Sequence, residues 1–346
     1  MTDVVVREAF GAEFVGAEGF LNSPTYGLPP QFFFDALQEC LRAWQAGTMN
    51  PASFDEPVQA GRAGYAALVG VPVDSVAMAG SVSAALSLVA AAIPDGSRVA
   101  TLPGEFTSTS FPFAAQAVRG VTITELDSDE LVTSASDYDV VTASLVQSAN
   151  GAVLDIDALR ENVAGTDTLT VIDVTQAVGW KRVELPWADV TVAAVYKWLL
   201  APRGTAWMSL SDRVAGSMIP HAANWYAGQE PWSTIYGLPL RLAGNARRFD
   251  VSPTWFSSLG SGLTLPWLAS LDRDAIEAHS LGLARRLRAE LQLPPEDSAI
   301  VSIPTAAADE LGRAGIRASV RAGAVRVGFH LYNTDDDLDR LLDVLR

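Results

Sequence analysis

The stretch that decides the fold is Thr170–Trp207, which reads TVIDVTQAVGW and, after a short link, DVTVAAVYKWLLAPRGTAW. Residues 170–172 and 190–195 are short apolar runs bounded by turn-forming residues, a pattern that predicts two buried strands. The first run ends at Asp173, and the second is followed closely by Lys197. A charged side chain at the end of a buried strand must be paired, solvated or functional.

Either charge alone is explained by a strand leaving the core, because strand ends are often charged. The two together indicate more. Gln176 follows Asp173 by three residues, and Tyr196 and Trp198 flank Lys197. An Asp that keeps a pyridine nitrogen protonated and a Lys that forms a Schiff base are what a protein needs to bind pyridoxal 5'-phosphate (PLP).

The ordered pattern D-x-x-Q-A-x-G, D-x-x-x-x-x-x-x-K-W-L and P-x-G resembles the class V aminotransferases. This family of fold-type I PLP-dependent enzymes also contains cysteine desulfurases, kynureninases and isopenicillin N epimerase-like proteins. The residues that carry the resemblance are Asp173, Gln176, Ala177, Gly179, Asp189, Lys197, Trp198, Leu199, Pro202 and Gly204. It implies an α/β fold in which helices cover a mainly parallel sheet.

The resemblance also implies two domains. We expect a large PLP-binding domain over residues 15–245 and a smaller C-terminal α+β domain over residues 246–346 together with residues 1–14. A chain of 346 residues is long enough for both.

The composition of the chain limits which partners and which cellular location we expect. The net charge of -16 and the pI near 4.5 disfavour nucleic acid and anionic membranes as partners. The longest apolar runs, such as Ala84–Ile93, are too short to span a bilayer. The first residues, MTDVVVREAF, lack the pattern of a signal peptide. A single cysteine, Cys40, agrees with a reducing compartment. We therefore expect a cytoplasmic location.

The sequence lacks the motifs of several other classes of enzyme. The sequence has no Gly-Lys dipeptide and therefore no Walker A loop, and the three histidines are spaced in a way that predicts no metal site. A dinucleotide enzyme would need G-x-G-x-x-G after the first strand, where this chain has Gly80-Ser81-Val82-Ser83. A non-catalytic relative of the PLP fold is disfavoured by the intact Asp173 and Lys197.

The turn at residues 80–83 lies between a predicted strand, 75–79, and a helix that runs to Ile93. Backbone N–H groups and the helix dipole make such a turn an anion site. The resemblance places the cofactor phosphate there, although small residues also simply allow tight packing. Val82 stands where the family has Thr, so binding would depend on the backbone of Ser81 and Val82 and on the hydroxyl of Ser83.

The resemblance assigns three more residues to the cofactor. Phe106, after the predicted strand 98–102, would stack on the pyridine ring. The alternative is that Phe106 is a core residue and that Phe111 or Phe113 provides the stacking ring. Gln176 would bind the 3-oxygen of the ring, and Tyr196 would reach the phosphate.

The expected substrate contacts come from three separate segments. Arg326 lies in RVGFHLYNT, which is similar to the family's R-x-S-x-H-x-Y-N-T, whose Arg binds the substrate carboxylate. The alternative is an exposed strand residue. Asn22 and Tyr26 lie in a loop before the first helix. In relatives this loop lines the substrate side of the site; the alternative is an ordinary N-terminal arm. Asn150 follows the predicted strand 138–144, where an Asn-Gly turn explains it equally well.

The segment NARRFD, residues 245–250, with Val251–Thr254 matches one that completes the partner subunit's site in relatives, so we expect a homodimer. The resemblance favours an aminotransferase acting at the Cα of a small amino acid. The alternatives are a kynureninase-like or C–S lyase and an epimerase of the same fold. Desulfurases need a cysteine in a mobile loop late in the chain, whereas Cys40 lies in a predicted early helix.

Overall fold

The computed structural model describes residues 5–346. Its strands are β1 Val6–Ala9, β2 Ala12–Val15, β3 Val76–Ala79, β4 Arg98–Thr101, β5 Thr122–Glu125, β6 Val140–Ser144, β7 Leu169–Asp173, β8 Val190–Ala194, β9 Ala206–Leu210, β10 Ile300–Ile303, β11 Ser319–Arg321 and β12 Ala324–Gly328. Its α-helices are α1 Gln31–Gln45, α2 Asp55–Val69, α3 Val82–Ala92, α4 Thr107–Ala114, α5 Ser128–Thr133, α6 Ile156–Val163, α7 Asp212–Ser217, α8 Trp255–Ser270, α9 Arg273–Glu290, α10 Ala308–Arg313 and α11 Asp335–Leu345.

The main sheet has seven strands in the order β3-β9-β8-β7-β6-β4-β5. All its neighbouring strands are parallel except that β9 runs antiparallel to both β3 and β8. The predicted α/β fold with a mainly parallel sheet is confirmed. Strands β7 and β8 are adjacent, with Ile172 opposite Thr191, so their carboxyl ends lie side by side.

Both faces of the sheet are covered, which is why its central strands read as continuous apolar runs rather than alternating ones. On one face, Leu86 and Val89 of α3 pack in a cluster with Val192. On the other, Tyr65 of α2 packs in a cluster with Ile172. The residues of β6 and β8 are all buried.

The P-x-G string after Lys197 predicts a turn, and strand β9, which follows it, was not predicted. The turn is present, but it leads at once into AWMSL, all of whose residues are buried. An antiparallel strand needs no crossover helix, so β9 can follow β8 through a short turn. Its hydrogen bonds close the gap between β8 and β3.

A second sheet, with order β10-β12-β11, is antiparallel and packs against α9 and α11. Val301, Val327 and Leu338 belong to its apolar core. The hairpin of β1 and β2 is tied to the end of the chain, because Arg7 Nη1 lies 2.6 Å from the Asp337 carboxylate. The two-domain division stays a prediction, and residues 1–4 of it lie outside the described residues.

The residues that the structure describes include no helix with the length and apolar character needed to cross a membrane.

Candidate active site

A cavity of about 300 Å³ lies at the carboxyl edge of the main sheet. The turn after β3 and the ends of β6, β7 and β8 all contribute to its lining, as does the segment after β4. Parallel strands deliver their carboxyl ends to the same edge, and loops there form the usual ligand crevice of an open α/β sheet.

All eight residues predicted to contact the cofactor line this one cavity. They are Ser81, Val82, Ser83, Phe106, Asp173, Gln176, Tyr196 and Lys197. They come from positions spread over more than a hundred residues of sequence, so the fold rather than the chain brings them together.

Asp173 is held rigidly at the end of β7. Its Oδ1 accepts a hydrogen bond from the Thr175 amide at 2.8 Å, and its Oδ2 accepts one from the Thr109 hydroxyl at 3.1 Å. Burial raises the pKa of Asp173, while the hydrogen bonds of Thr175, the charge of Lys197 and the hydrogen bond of Thr109 oppose that rise. A protonated ring nitrogen would add a further partner that favours the carboxylate.

Lys197 is only 6% exposed, and within residues 5–346 its amine has no hydrogen-bond or ion-pair partner. Burial lowers the pKa of Lys197 to about 8, against the opposing charge of Asp173; the charges of Arg326, Arg321 and Arg203 lower it further. A buried amine with a depressed pKa is poised to act as a nucleophile or a base near neutral pH.

Gln176 connects the cofactor pocket to its supporting loops. Its Nε2 donates to Pro24 O and to Ser148 Oγ, both at 3.0 Å, and its Oε1 accepts from Trp198 Nε1 at 2.8 Å. Trp198 O in turn lies 2.9 Å from His330 Nε2. Burial lowers the pKa of His330 to about 3, so this ring is neutral and donates to that carbonyl.

The motif glycine Gly179 has a packing reason. A Cβ there would lie 2.3 Å from Trp198 O, and its φ of +111° is one that other residues rarely adopt. Gly179 thus lets the loop after β7 pass against the backbone next to Lys197.

The turn at residues 80–83 precedes α3, whose N-cap is Ser81. Ser81 Oγ accepts from the Ala84 amide at 3.2 Å and lies 3.1 Å from Ser83 Oγ. The two hydroxyls therefore already bond within the turn, and Val82 offers only its backbone.

Phe106 is 47% exposed although it lines the cavity, and its ring centre lies 5.2 Å from Lys197 Nζ. Phe113, one of the alternative stacking rings, is buried on another part of α4 and Phe111 is exposed; neither lines the cavity. The geometry favours Phe106 as the ring with a free face.

Glu105, which has no role in the sequence pattern, supports the site from outside the cavity lining through its contacts with Ser144. Its carboxylate accepts from the Ser144 amide at 2.7 Å and the Ser144 hydroxyl at 2.6 Å, joining the segment that carries Phe106 to the end of β6. Burial raises the pKa of Glu105 to about 6, and these hydrogen bonds oppose that rise. In the sequence, only the position of Glu105 directly before Phe106 could have indicated that it belongs near the site.

Arg326 lies behind the cavity wall rather than on it. It is 1% exposed, Nη1 donates to the carbonyl and hydroxyl oxygens of Ser148, and Nη2 donates to Thr25 Oγ1 at 2.9 Å. Burial is the main cause that lowers the pKa of Arg326 to about 10, and the charge of Arg321 also lowers it. No carboxylate of the described residues lies within ion-pair distance, and its Nε is buried without an acceptor.

None of the other three predicted substrate residues lines this cavity. Asn22 pairs with Gly328 beside β12, and its Oδ1 is buried without a donor. Tyr26 is exposed, with its ring 5.1 Å from that of Phe20. The structure does not bring Asn150 to this cavity: its Oδ1 accepts from the Ala152 amide at 3.0 Å, as a turn residue does.

The donor set fits PLP. One buried carboxylate can pair with a ring nitrogen, and one unpartnered buried amine can react with an aldehyde. One aromatic ring has a free face, and a strand-turn-helix anion site lies in the same cavity. A Lys for the Schiff base and an acidic partner for the pyridine nitrogen are the groups that PLP binding requires.

Fold and cavity together define a fold-type I PLP-dependent enzyme. The family model for aminotransferase class-V matches residues 49–309, about three quarters of the sequence. The chain belongs to this family.

The chain is also similar to individual proteins. It is 25% identical over 312 residues to the uncharacterized aminotransferase YcbU of Bacillus subtilis (strain 168), covering 83% of each chain. The cysteine desulfurase CsdA of Escherichia coli has a TM-score of 0.80 at 16% identity, covering 95% of this chain and 94% of that one. The cystine C–S lyase C-DES also gives 0.80, at 15% identity, covering 95% and 97%. The resemblance seen in the sequence is confirmed, and the two structures show the shared fold.

Proposed function

We propose that this chain is a class V aminotransferase that exchanges the amino group of a small amino acid. The observation that carries the proposal is that one cavity contains both a buried amine without a hydrogen-bond or ion-pair partner, Lys197, and a buried carboxylate, Asp173. PLP, when bound, supplies an electron-withdrawing ring that makes the Cα proton of an attached amino acid acidic. Among the reactions of the family, transamination is favoured because the matching family model is that of the class-V aminotransferases.

Lys197 holds the cofactor and, once the amino acid has displaced it, moves the Cα proton through its Nζ. Its pKa of about 8 lets the free amine accept a proton at neutral pH without holding it too strongly. Asp173 keeps the ring nitrogen protonated, since burial leaves that pair unscreened.

Arg326 binds the amino-acid carboxylate. A buried guanidinium with no carboxylate near it carries an uncompensated charge, and an anionic substrate supplies the partner. Its free Nε adds a donor that the protein leaves unused. Reaching the substrate requires Ser148, which lies between Arg326 and the cavity, to exchange its bonds to Arg326 for bonds to the carboxylate.

The enzyme acts as a homodimer in the cytoplasm. Tyr236 and Leu238 are 87% and 89% exposed in a segment that precedes the NARRFD string, and apolar side chains this open on one chain are suited to an interface.

The reaction is tested by mixing the enzyme with a panel of amino acids in the absence of a keto acid. An aminotransferase converts its PLP to the pyridoxamine form once per site and stops, which the cofactor absorbance reports. Addition of a keto acid should then restore the starting spectrum.

The Lys197→Ala variant is the control and should show no conversion. Continued release of pyruvate or alanine from a cysteine conjugate or kynurenine, without any pyridoxamine form, would identify a lyase and overturn the aminotransferase proposal.

A further inference from the structure

Three residues that line the cavity carry a formal charge: Asp173, Lys197 and Arg203. Besides its 3-oxygen, PLP has three polar groups, namely a ring nitrogen, an aldehyde and a phosphate. Asp173 matches the nitrogen and Lys197 the aldehyde. The phosphate carries a charge of about -1.5 to -2 at neutral pH and is the end left without a charged partner, while Arg203 is the charge left without a role.

Arg203 is an exposed residue that lines the same cavity as the anion turn. It belongs to the link between Lys197 and β9, and the carbonyl of its neighbour Gly204 lies 4.0 Å from where a Cβ on Gly80 would be. The carbon at the centre of its guanidinium lies 5.5 Å from the ring centre of Tyr196, which also lines the cavity. Within the described part of the chain, this guanidinium has no hydrogen-bond acceptor and no carboxylate at ion-pair distance.

Neutral donors also line the cavity, among them Tyr196, whose hydroxyl the resemblance assigns to the phosphate, and Thr205, whose hydroxyl lies 2.8 Å from that of Thr254. Val82 and Ala194 line it without a hydroxyl, and the hydroxyls of Ser81 and Ser83 bond to each other. Ser81 Oγ also accepts from the Ala84 amide, which fixes it as a helix cap. Backbone N–H groups remain, but hydrogen bonds from an ionised donor are roughly twice as strong as neutral ones.

We propose that Arg203 binds the phosphate of PLP and supplies the positive charge that the turn at residues 80–83 lacks. Arg203 holds the cofactor in place when the substrate displaces Lys197, since the phosphate is then the main fixed end. The inference rests on PLP being the cofactor of the proposed function.

The test compares PLP with pyridoxal, which has the same ring and aldehyde but no phosphate. Apoenzyme of the wild type and of Arg203→Gln is titrated with each, and binding is followed by absorbance. We expect Arg203→Gln to lose roughly 10- to 100-fold in PLP affinity and to keep its pyridoxal affinity. Arg203→Lys should recover part of the loss, because it keeps the charge but not the planar fork.

Arg321→Gln is the matched control. Arg321 is exposed and donates only to the carbonyl of its neighbour Val320, and it too adds positive charge near Lys197. Removing it reports the effect of net charge alone, and its ratio of PLP to pyridoxal affinity should match the wild type.

Three results would overturn the inference. An equal loss for PLP and pyridoxal would make Arg203 structural, and no loss for either would leave the phosphate to the turn alone. Weaker binding of acidic amino acids with PLP affinity retained would make it a substrate-carboxylate site. A wild-type enzyme that fails to bind PLP would instead contradict the proposed function itself.

Discussion

At the scale of single residues, Lys197 is defined by what it lacks. Most lysines are solvated or paired, whereas this amine is buried with no hydrogen-bond or ion-pair partner in the described chain, and burial lowers its pKa to about 8. The neutral amine is the form that reacts with an aldehyde.

The rate of PLP capture by the apoenzyme should therefore rise with pH through about 8 and then level off. For an ordinary lysine it would go on rising toward 10. Borohydride reduction at each pH, followed by peptide mapping, measures the cofactor fixed on the Lys197 peptide. Label on Lys181, which is paired with Glu277 at 3.0 Å, would contradict the assignment.

Arg326 gives a second prediction at this scale. Arg326→Lys keeps a positive charge but cannot donate two parallel hydrogen bonds, so amino-acid binding should weaken by roughly 2 to 3 kcal/mol. The dissociation constant from spectral titration measures the change, and PLP content should stay at the wild-type level. Unchanged substrate affinity would move the carboxylate site elsewhere, to Arg247 or Arg248 for example.

At the scale of elements, the loop before α1 controls the position of the lysine turn. Gly27 N donates to Tyr196 O at 2.9 Å, and a Cβ on Gly27 would lie 2.1 Å from Lys197 O. Backbone cannot yield at that distance as a flexible side chain can, so the loop and the turn pack as one unit.

Gly27→Ala should accordingly cost about 1 to 3 kcal/mol of unfolding free energy and also alter the absorbance of the bound cofactor, because the turn must shift. Gly282→Ala is the control: Gly282 is exposed in α9 with nothing near its Cβ, so alanine there should stabilise by about 0.5 to 1 kcal/mol. Denaturant unfolding and a cofactor spectrum check both variants. A normal spectrum in a folded Gly27→Ala protein would show that the contact does not position Lys197.

At the scale of the whole molecule, the prediction concerns assembly. Leu240 is 66% exposed near Tyr236, and an aspartate at this position would bury a charge if the segment forms the dimer interface. Leu240→Asp should weaken the dimer by roughly 100-fold or more. Light scattering over a dilution series gives the mass. Val118→Asp, at a residue that is 94% exposed elsewhere, should remain dimeric. A wild-type protein that is monomeric at micromolar concentration would contradict the homodimer.

The sequence by itself determined the two central strands of the sheet and the chemistry of the cofactor. Strand β7, which ends at Asp173, and strand β8, which is followed by Lys197, were predicted because apolar runs and turn residues are local signals. The ordered set of ten residues between Asp173 and Gly204 was enough to identify the family.

Only the tertiary structure decided which side chains meet. Ser148 bonds to both Gln176 and Arg326, and Asp173 receives a bond from Thr109, a residue far away in sequence. Asn150, close to Ser148 in the chain, points to a local turn instead. Arg203 is an unremarked residue in a P-x-G string until the fold places it in the same cavity as the turn after β3. Local periodicity records which face of an element is buried, but contacts between distant segments depend on packing, which no single stretch of sequence contains.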